Sequence, residues 1–315
     1  MHGVPFVKKV AVERKKSVSP ADFVREHIDG VGKPVVVTDA MDGWPARTKW
    51  TFDFFRNAYG SDFATAPLGL YGDAAKLTKL AAYIDHLDSP EAMPGFWVNS
   101  KDRRPLRTPP ESPALLPYLV EWPAFQLHPE LYDDIKPAPY FVDDWTLALT
   151  SDLRELFQST CGRSYCAVFL GPAGSLSPLH QDFWHTHAYL AQIHGRKRAM
   201  LFSPEDSGFL YRGEVDPEQP DFERFPLFER ATAHECVIEP GDVLFIPPDW
   251  WHHVRGLEKS ITMSNNFFNE TNFAEHMTRI LRKLPTLVQG LEKSPALRAA
   301  LGIDWYLERG ERPLE

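Results

Sequence analysis

From about residue 163 the chain is cut into short apolar runs, nearly all closed by glycine or proline. Residues 165–170 run into Gly171-Pro172-Ala173-Gly174, 188–193 into His194-Gly195, and 198–202 into Ser203-Pro204. Residues 236–238 meet Glu239-Pro240-Gly241, 243–246 meet Pro247-Pro248, and a last run covers 260–268. Runs this short suit strands, whose backbone groups must be paired by neighbours. Several of them at this spacing imply an antiparallel sandwich or barrel. The expectation is a β core over residues 161–270.

The flanks have a different texture. Residues 1–160 read as an α/β region packed on that core. Ser19-Pro20 opens a helix in the favoured way, with serine as N-cap and proline in the first turn. Pro34-Val35-Val36-Val37-Thr38 reads as a short buried strand, and Thr51 caps a helix carrying Phe52, Phe55 and Tyr59. Between Ser89 and Pro139 prolines are dense and periodicity is weak, which predicts a long irregular connection over the surface or over a site. Residues 271–315 read as helical. Asn272 with Glu275 resembles a capping box, Met277, Ile280, Leu281 and Leu284 share a helix face, and Ser294-Pro295 to Gly302 forms a further short helix. That apolar stripe must be covered, either by its own domain or by a second copy, so a homodimer through the C-terminal helices is one expectation.

Composition excludes several classes. With 43% hydrophobic and 24% charged residues in a 315-residue chain, the protein fits a soluble globular class rather than a disordered one. No run approaches the roughly 18 apolar residues of a membrane span, and the first residues lack a secretory apolar core. A cytoplasmic protein without membrane contact is expected. Three cysteines, Cys161, Cys166 and Cys236, provide neither a disulfide framework nor the cysteine-rich zinc modules of chromatin readers. A net charge of −9 disfavours nonspecific attraction to phosphate backbones, so nucleic acid is not expected as a partner.

The chemistry centres on Ser177-Pro178-Leu179-His180-Gln181-Asp182. On a strand, residues two apart face the same way, so His180 and Asp182 can grip one ion together. A lone His-x-Asp is commonly only a surface pair, and a third ligand must come from elsewhere. Trp250-Trp251-His252-His253 offers one, with His252 and His253 facing opposite ways on a strand. Two imidazoles and a carboxylate on one side of an ion leave positions open, the arrangement that suits non-heme iron(II) oxygenases. Lys197 has two readings. It can join Arg196 and Arg198 in a solvated basic turn, or face inward beside Ala199 and Leu201, where a desolvated ammonium would need an anionic partner. His185 and His187 form the His-x-His pair of ordinary cupins. The glutamate such cupins need is missing, since Ala191 and Gln192 stand there, so the pair reads as pocket lining or as support behind the metal ligands.

Further motifs flank these residues: Lys33-Pro34-Val35-Val36, Gly43-Trp44-Pro45-Ala46, Ala191-Gln192-Ile193-His194-Gly195-Arg196-Lys197-Arg198, Val215-Asp216-Pro217, Pro240-Gly241-Asp242 and Asn265-Asn266-Phe267. Over roughly residues 17–270 the sequence resembles the Jumonji-C hydroxylases, especially the single-domain group that includes the asparaginyl hydroxylase acting on hypoxia-inducible factor. The resemblance implies a mainly β fold, a double-stranded β-helix of the cupin or jelly-roll type with flanking helices. It implies iron(II), 2-oxoglutarate and dioxygen as cofactor and cosubstrates, with His180, Asp182 and His252 as metal ligands. It places Lys197 on the far carboxylate of 2-oxoglutarate with Ser177, puts Asn266 nearby, and assigns Tyr118 as the hydroxyl partner.

The stretch between Asp182 and Gly195 is longer here than in many asparaginyl-hydroxylase-like members and lacks their strand asparagine. Thr186 or His187 is expected to take the polar role, and Trp184 and Trp251 to shape the substrate pocket. The implied activity is hydroxylation of a C–H bond on a protein or peptide side chain. Hydroxylation of a small metabolite and non-catalytic metal or ligand binding are the alternatives.

Overall fold

A computed structural model describes residues 7–148, except 71, 102, 107–109, 111–114, 137, 138 and 140–142, together with 165–280 and 282. Most of the expected C-terminal helical region, including Leu281, Leu284 and 294–302, lies outside the described residues, as does Cys161. Along the chain run β1 (Lys8–Ala11), β2 (Glu13–Lys15), β3 (Val35–Val37), β4 (Phe63–Pro67), β5 (Ala74–Lys79), β6 (Phe96–Asn99) and β7 (Leu119–Trp122). Then come β8 (Cys166–Gly171), β9 (Leu176–His180), β10 (His187–His194), β11 (Lys197–Phe202), β12 (Thr232–Ile238), β13 (Val243–Ile246), β14 (Trp251–Gly256) and β15 (Ser260–Phe267).

Two sheets form the core. One is five-stranded, in the order β1-β12-β11-β14-β9; the other is seven-stranded, in the order β2-β3-β13-β10-β15-β8-β7. Strands β4, β5 and β6 form a separate sheet alongside. This is the mainly β, jelly-roll architecture expected of the apolar runs. No described helix is long and apolar enough to cross a membrane.

The side-chain period of two explains how the seven-stranded sheet serves two purposes. On β15, Ile261, Met263 and Phe267 point outward into the main hydrophobic core, while Thr262, Ser264 and Asn266 line a cavity on the inner side. On β8, Val168 and Leu170 belong to that core, and Ala167 and Phe169 face the cavity. The N-terminal region supplies the other half of the core through Phe23, Trp50, Phe55 and Tyr83. Burying each such side chain stabilises the fold by about 1.5–3 kcal/mol. Ser19 and Thr51 cap their helices as expected, accepting bonds from the Asp22 and Phe54 amides. The Trp50 indole donates to Asp134 at 2.8 Å. Tyr83 donates to the Leu170 carbonyl at 2.7 Å and accepts from the Leu119 amide at 2.9 Å, fixing the edge strand that follows Tyr118.

Some expectations are corrected. The stretch 89–139 is not simply irregular. It forms β6, β7, a helix at Ala124–Leu127 and a 3-10 helix at Pro129–Ile135. A bulge in β7 and the left-handed backbone of Glu121 (φ 49°) interrupt the alternation that would have marked the strand. Asn272 does not make a capping box. Its side chain accepts from the Asn269 amide and donates to the His185 carbonyl instead. Strands β1 and β2 are consecutive yet join different sheets, each at an edge, with Val12 buried between them.

Candidate metal centre

Strand β14 lies between β9 and β11, and this order brings the polar residues together. His252 stands opposite His180 on one side and Leu201 on the other, while Val254 stands opposite Ser177 and Ala199. Two residues lie between Ser177 and His180 where one lies between His252 and Val254. This bulge turns both Ser177 and His180 into the cavity, a placement strict alternation would forbid. Asp182 lies two residues beyond the end of β9, not on the strand as the sequence suggested. Its carboxylate still reaches the imidazoles, with Oδ1 at 3.9 Å from His180 Nε2 and 3.7 Å from His252 Nε2.

The two rings are oriented from behind. His180 Nδ1 sits 2.7 Å from the Pro178 carbonyl and His252 Nδ1 3.1 Å from the Trp250 carbonyl. A carbonyl can only accept, so each Nδ1 carries the proton and each Nε2 presents its lone pair to the centre. Two imidazoles and one carboxylate, all within 4.8 Å of one another, form a donor set that fits a divalent transition metal. His253 faces the other way, beside Glu218, in a second cluster with Asp216. Glu218 there is already paired with Arg255, so a guanidinium supplies the positive charge.

Lys197 faces inward from the start of β11 and is only 3% exposed. Its ammonium donates to the Tyr118 hydroxyl at 2.8 Å, and among the described residues no carboxylate pairs with it. Burial lowers its pKa from 10.5 to about 7. Burial pushes the Tyr118 hydroxyl well up, opposed by the neighbouring Ser177 hydroxyl. Tyr118, Ser177, Lys197, Asn266 and the three candidate ligands line one cavity. A buried ammonium with two hydroxyls is a ready receptor for a carboxylate.

A family model described as a cupin-like domain matches residues 20–274. The chain belongs to the Jumonji-C cupin-like family. Among its curated relatives is lysine-specific demethylase 8 of Danio rerio, 33% identical over 244 residues, which are 74% of this chain and 52% of the relative. The Xenopus tropicalis protein of that name is 29% identical over 83% of this chain and 54% of its own length. Lysine-specific demethylase JMJ30 of Arabidopsis thaliana is 31% identical over 82% and 55%. The chain thus spans about half the length of these relatives. The finer likeness to the asparaginyl hydroxylase group rests on the motifs alone. Jumonji-C proteins use iron(II) and 2-oxoglutarate, and the donor set and the buried lysine described above fit that pair.

Not every residue singled out in this Jumonji-C sequence reaches the cavity. Thr186 lies behind the wall, accepting from Asn266 Nδ2 at 3.0 Å and donating to the Phe183 carbonyl. His187 points into the outer core, stacked on Phe267 and 2.9 Å from the Thr271 hydroxyl. Burial holds its pKa down at about 3. Trp251 packs under the 203–230 segment and donates to Ser207, and Trp184 sits in the loop after Asp182. Conversely, Tyr165, Ser264 and Thr262 line the cavity unforeseen. Counting back by twos from Asn266 would have found the last two.

Proposed function

We propose that the protein is an iron(II)- and 2-oxoglutarate-dependent oxygenase that hydroxylates a C–H bond of a protein or peptide side chain. The observation that carries this reading is one cavity holding the His180–Asp182–His252 donor set together with the buried Lys197. His180, Asp182 and His252 hold the metal. Lys197, aided by Tyr118 and Ser177, binds the far carboxylate of the cosubstrate, and Asn266, steadied by Thr186, lines the space between. The chemistry supplied when iron, 2-oxoglutarate and dioxygen are bound is oxidative decarboxylation to succinate coupled to oxygen insertion into a C–H bond. The protein's own part is to orient the reactants and keep water out.

A protein substrate is favoured over a metabolite by what adjoins the cavity. A groove lies along β4 and β7, lined by the exposed Phe63 and Leu127 and the cations Lys79, Lys101 and Arg103. Leu70 and Glu121 line both the groove and the metal cavity, so a chain lying in the groove can send one side chain to the centre. The relatives' names support a second reading of the same chemistry. Hydroxylation of an N-methyl group produces an unstable product that loses the methyl, and several relatives are named lysine- or arginine-specific demethylases. Peptide arrays assayed for succinate and then by mass spectrometry test both readings. Retention of one added oxygen supports hydroxylation, loss of a methyl supports demethylation. Turnover confined to free metabolites would defeat the protein-substrate proposal.

A further inference from the structure

The metal ligands adjoin two loops. Residues 183–186 follow Asp182, and residues 247–250 precede His252 and supply the carbonyl that orients its ring. Both loops hold side-chain-bearing residues in left-handed backbone: Trp184 and His185 at φ 58° and Asp249 at φ 61°. Such conformations persist only where the surroundings hold them.

What holds them here is the C-terminal helical segment. Arg279 donates to both carboxylate oxygens of Asp249, at 2.8 and 2.7 Å. The His185 ring meets the same carboxylate at 2.8 Å. Asn272 donates to the His185 carbonyl at 2.9 Å, and His276 Nδ1 lies 2.7 Å from the Trp184 carbonyl. The other nitrogen of His276 is 3.0 Å from the Tyr165 hydroxyl, on the cavity wall. The circuit closes at the ligands themselves. Gln181, between His180 and Asp182, donates to the Asp249 carbonyl at 2.6 Å. Asp249 thus joins the segment from the end of β9 to Asp182 that bears two candidate ligands, the loop after them, the loop before the third, and the terminal helix.

We infer that Asp249 and Arg279 are positioning residues: through the Arg279–Asp249–His185 bridge the C-terminal helix sets the two loops that bear the metal ligands, and thereby sets metal affinity. This rests on the metal-site reading above. It assigns residues 272–279 a part in the centre although none of them touches it.

The test is Co(II) titration of the metal-free protein, followed by its visible absorption bands, with melting temperature measured in parallel. Arg279→Ala and Asp249→Asn are expected to weaken Co(II) binding about 10- to 100-fold, the usual effect of removing a group that orients a ligand. Asparagine tolerates left-handed backbone, so Asp249→Asn removes the charge without straining the turn. Arg279→Lys should recover much of the loss, since an ammonium still pairs with the carboxylate although without the two-pronged geometry. Phe55→Leu, in the core remote from the site, should lower the melting temperature and leave Co(II) affinity unchanged. If Arg279→Ala behaves like Phe55→Leu, the bridge is merely structural and the inference is overturned. A wild-type protein that takes up no Co(II) would overturn the metal reading itself and this inference with it.

Discussion

Toward the shared cavity the five-stranded sheet presents Ser177, His180, Lys197 and His252, whereas the seven-stranded sheet presents Ala167, Phe169, Leu190, Thr262, Ser264 and Asn266. Their outer faces differ as well. The seven-stranded sheet is backed by the largest apolar cluster among the described residues, to which the N-terminal region contributes Phe23, Trp50, Phe55 and Tyr83. The five-stranded sheet is backed by a smaller cluster beneath residues 203–230, with Met200, Phe202 and Trp251. One wall thus bears the imidazoles and the ammonium, and the other, apart from Glu121 at its β7 edge, bears most of the buried apolar surface. The lesson is that chemistry and stability are largely separable here, and that the polar wall works against stability where it buries an unpaired charge.

The sharpest way to break this contrast is at Asp182. Asp182→Ala should abolish succinate formation from 2-oxoglutarate and remove tight metal binding. Asp242→Ala, which removes another aspartate from a turn held by Arg14, should leave turnover in place while costing about 1–3 kcal/mol of stability. Equal losses of activity in the two variants would show that the polar wall is not special.

Next is Lys197→Met. With a desolvated ammonium replaced by an apolar side chain of similar length, the apo protein should gain about 1–4 kcal/mol in denaturant unfolding. Its affinity for 2-oxoglutarate should fall by roughly two orders of magnitude, the order expected when a buried charged hydrogen bond is lost. A variant that loses both stability and cosubstrate binding would mean that Lys197 serves the fold.

Met263→Ala, on the opposite face of the strand that carries Asn266, tests the other wall. A cavity in the core should cost about 2–5 kcal/mol and leave the KM for 2-oxoglutarate unchanged. A shift in KM would couple the two walls.

The smallest expected effect is on pH dependence. Lys197 titrates near 7 when buried in the free protein and near 10.5 when exposed. Between those values the unfolded chain binds more protons than the folded one, so this group alone makes stability rise with pH across that window. Carboxylate binding needs the ammonium, so 2-oxoglutarate affinity should fall as pH rises above 7. Calorimetry of the Mn(II)-loaded protein in buffers of different ionisation heat should show proton uptake on binding near pH 8 and less near pH 6. Identical proton uptake at both would contradict a lysine poised near neutrality.

Much of this was legible beforehand where the signal was local. Glycine and proline punctuation marked β8, β10, β11, β13, β15 and the end of β12, and the Ser19 and Thr51 caps marked their helices. Strand spacing paired His180 with Asp182, while the family resemblance chose His252 over His253 and the inward reading of Lys197; the four converge on one cavity. What was hidden depends on partners far along the chain. The sequences of β1 and β2, Lys-Lys-Val-Ala and Glu-Arg-Lys, carry no apolar alternation because edge strands keep their side chains in water. Ser177 shares a face with His180 only through a bulge that alternation cannot foresee. The Arg279–Asp249 pair spans 30 residues and joins two segments that look unrelated until the fold brings them together.

The placement of β1 and β2 has a practical consequence. Each half of the barrel would otherwise end in an open row of backbone donors and acceptors, on β12 and on β3. One eight-residue ribbon, Lys8–Lys15, hems both borders at once with lysine, arginine and glutamate turned outward. Trimming the chain past residue 15 would therefore unmask two adhesive seams together, and the shortened protein should clump on concentration while its catalytic groups are all still present.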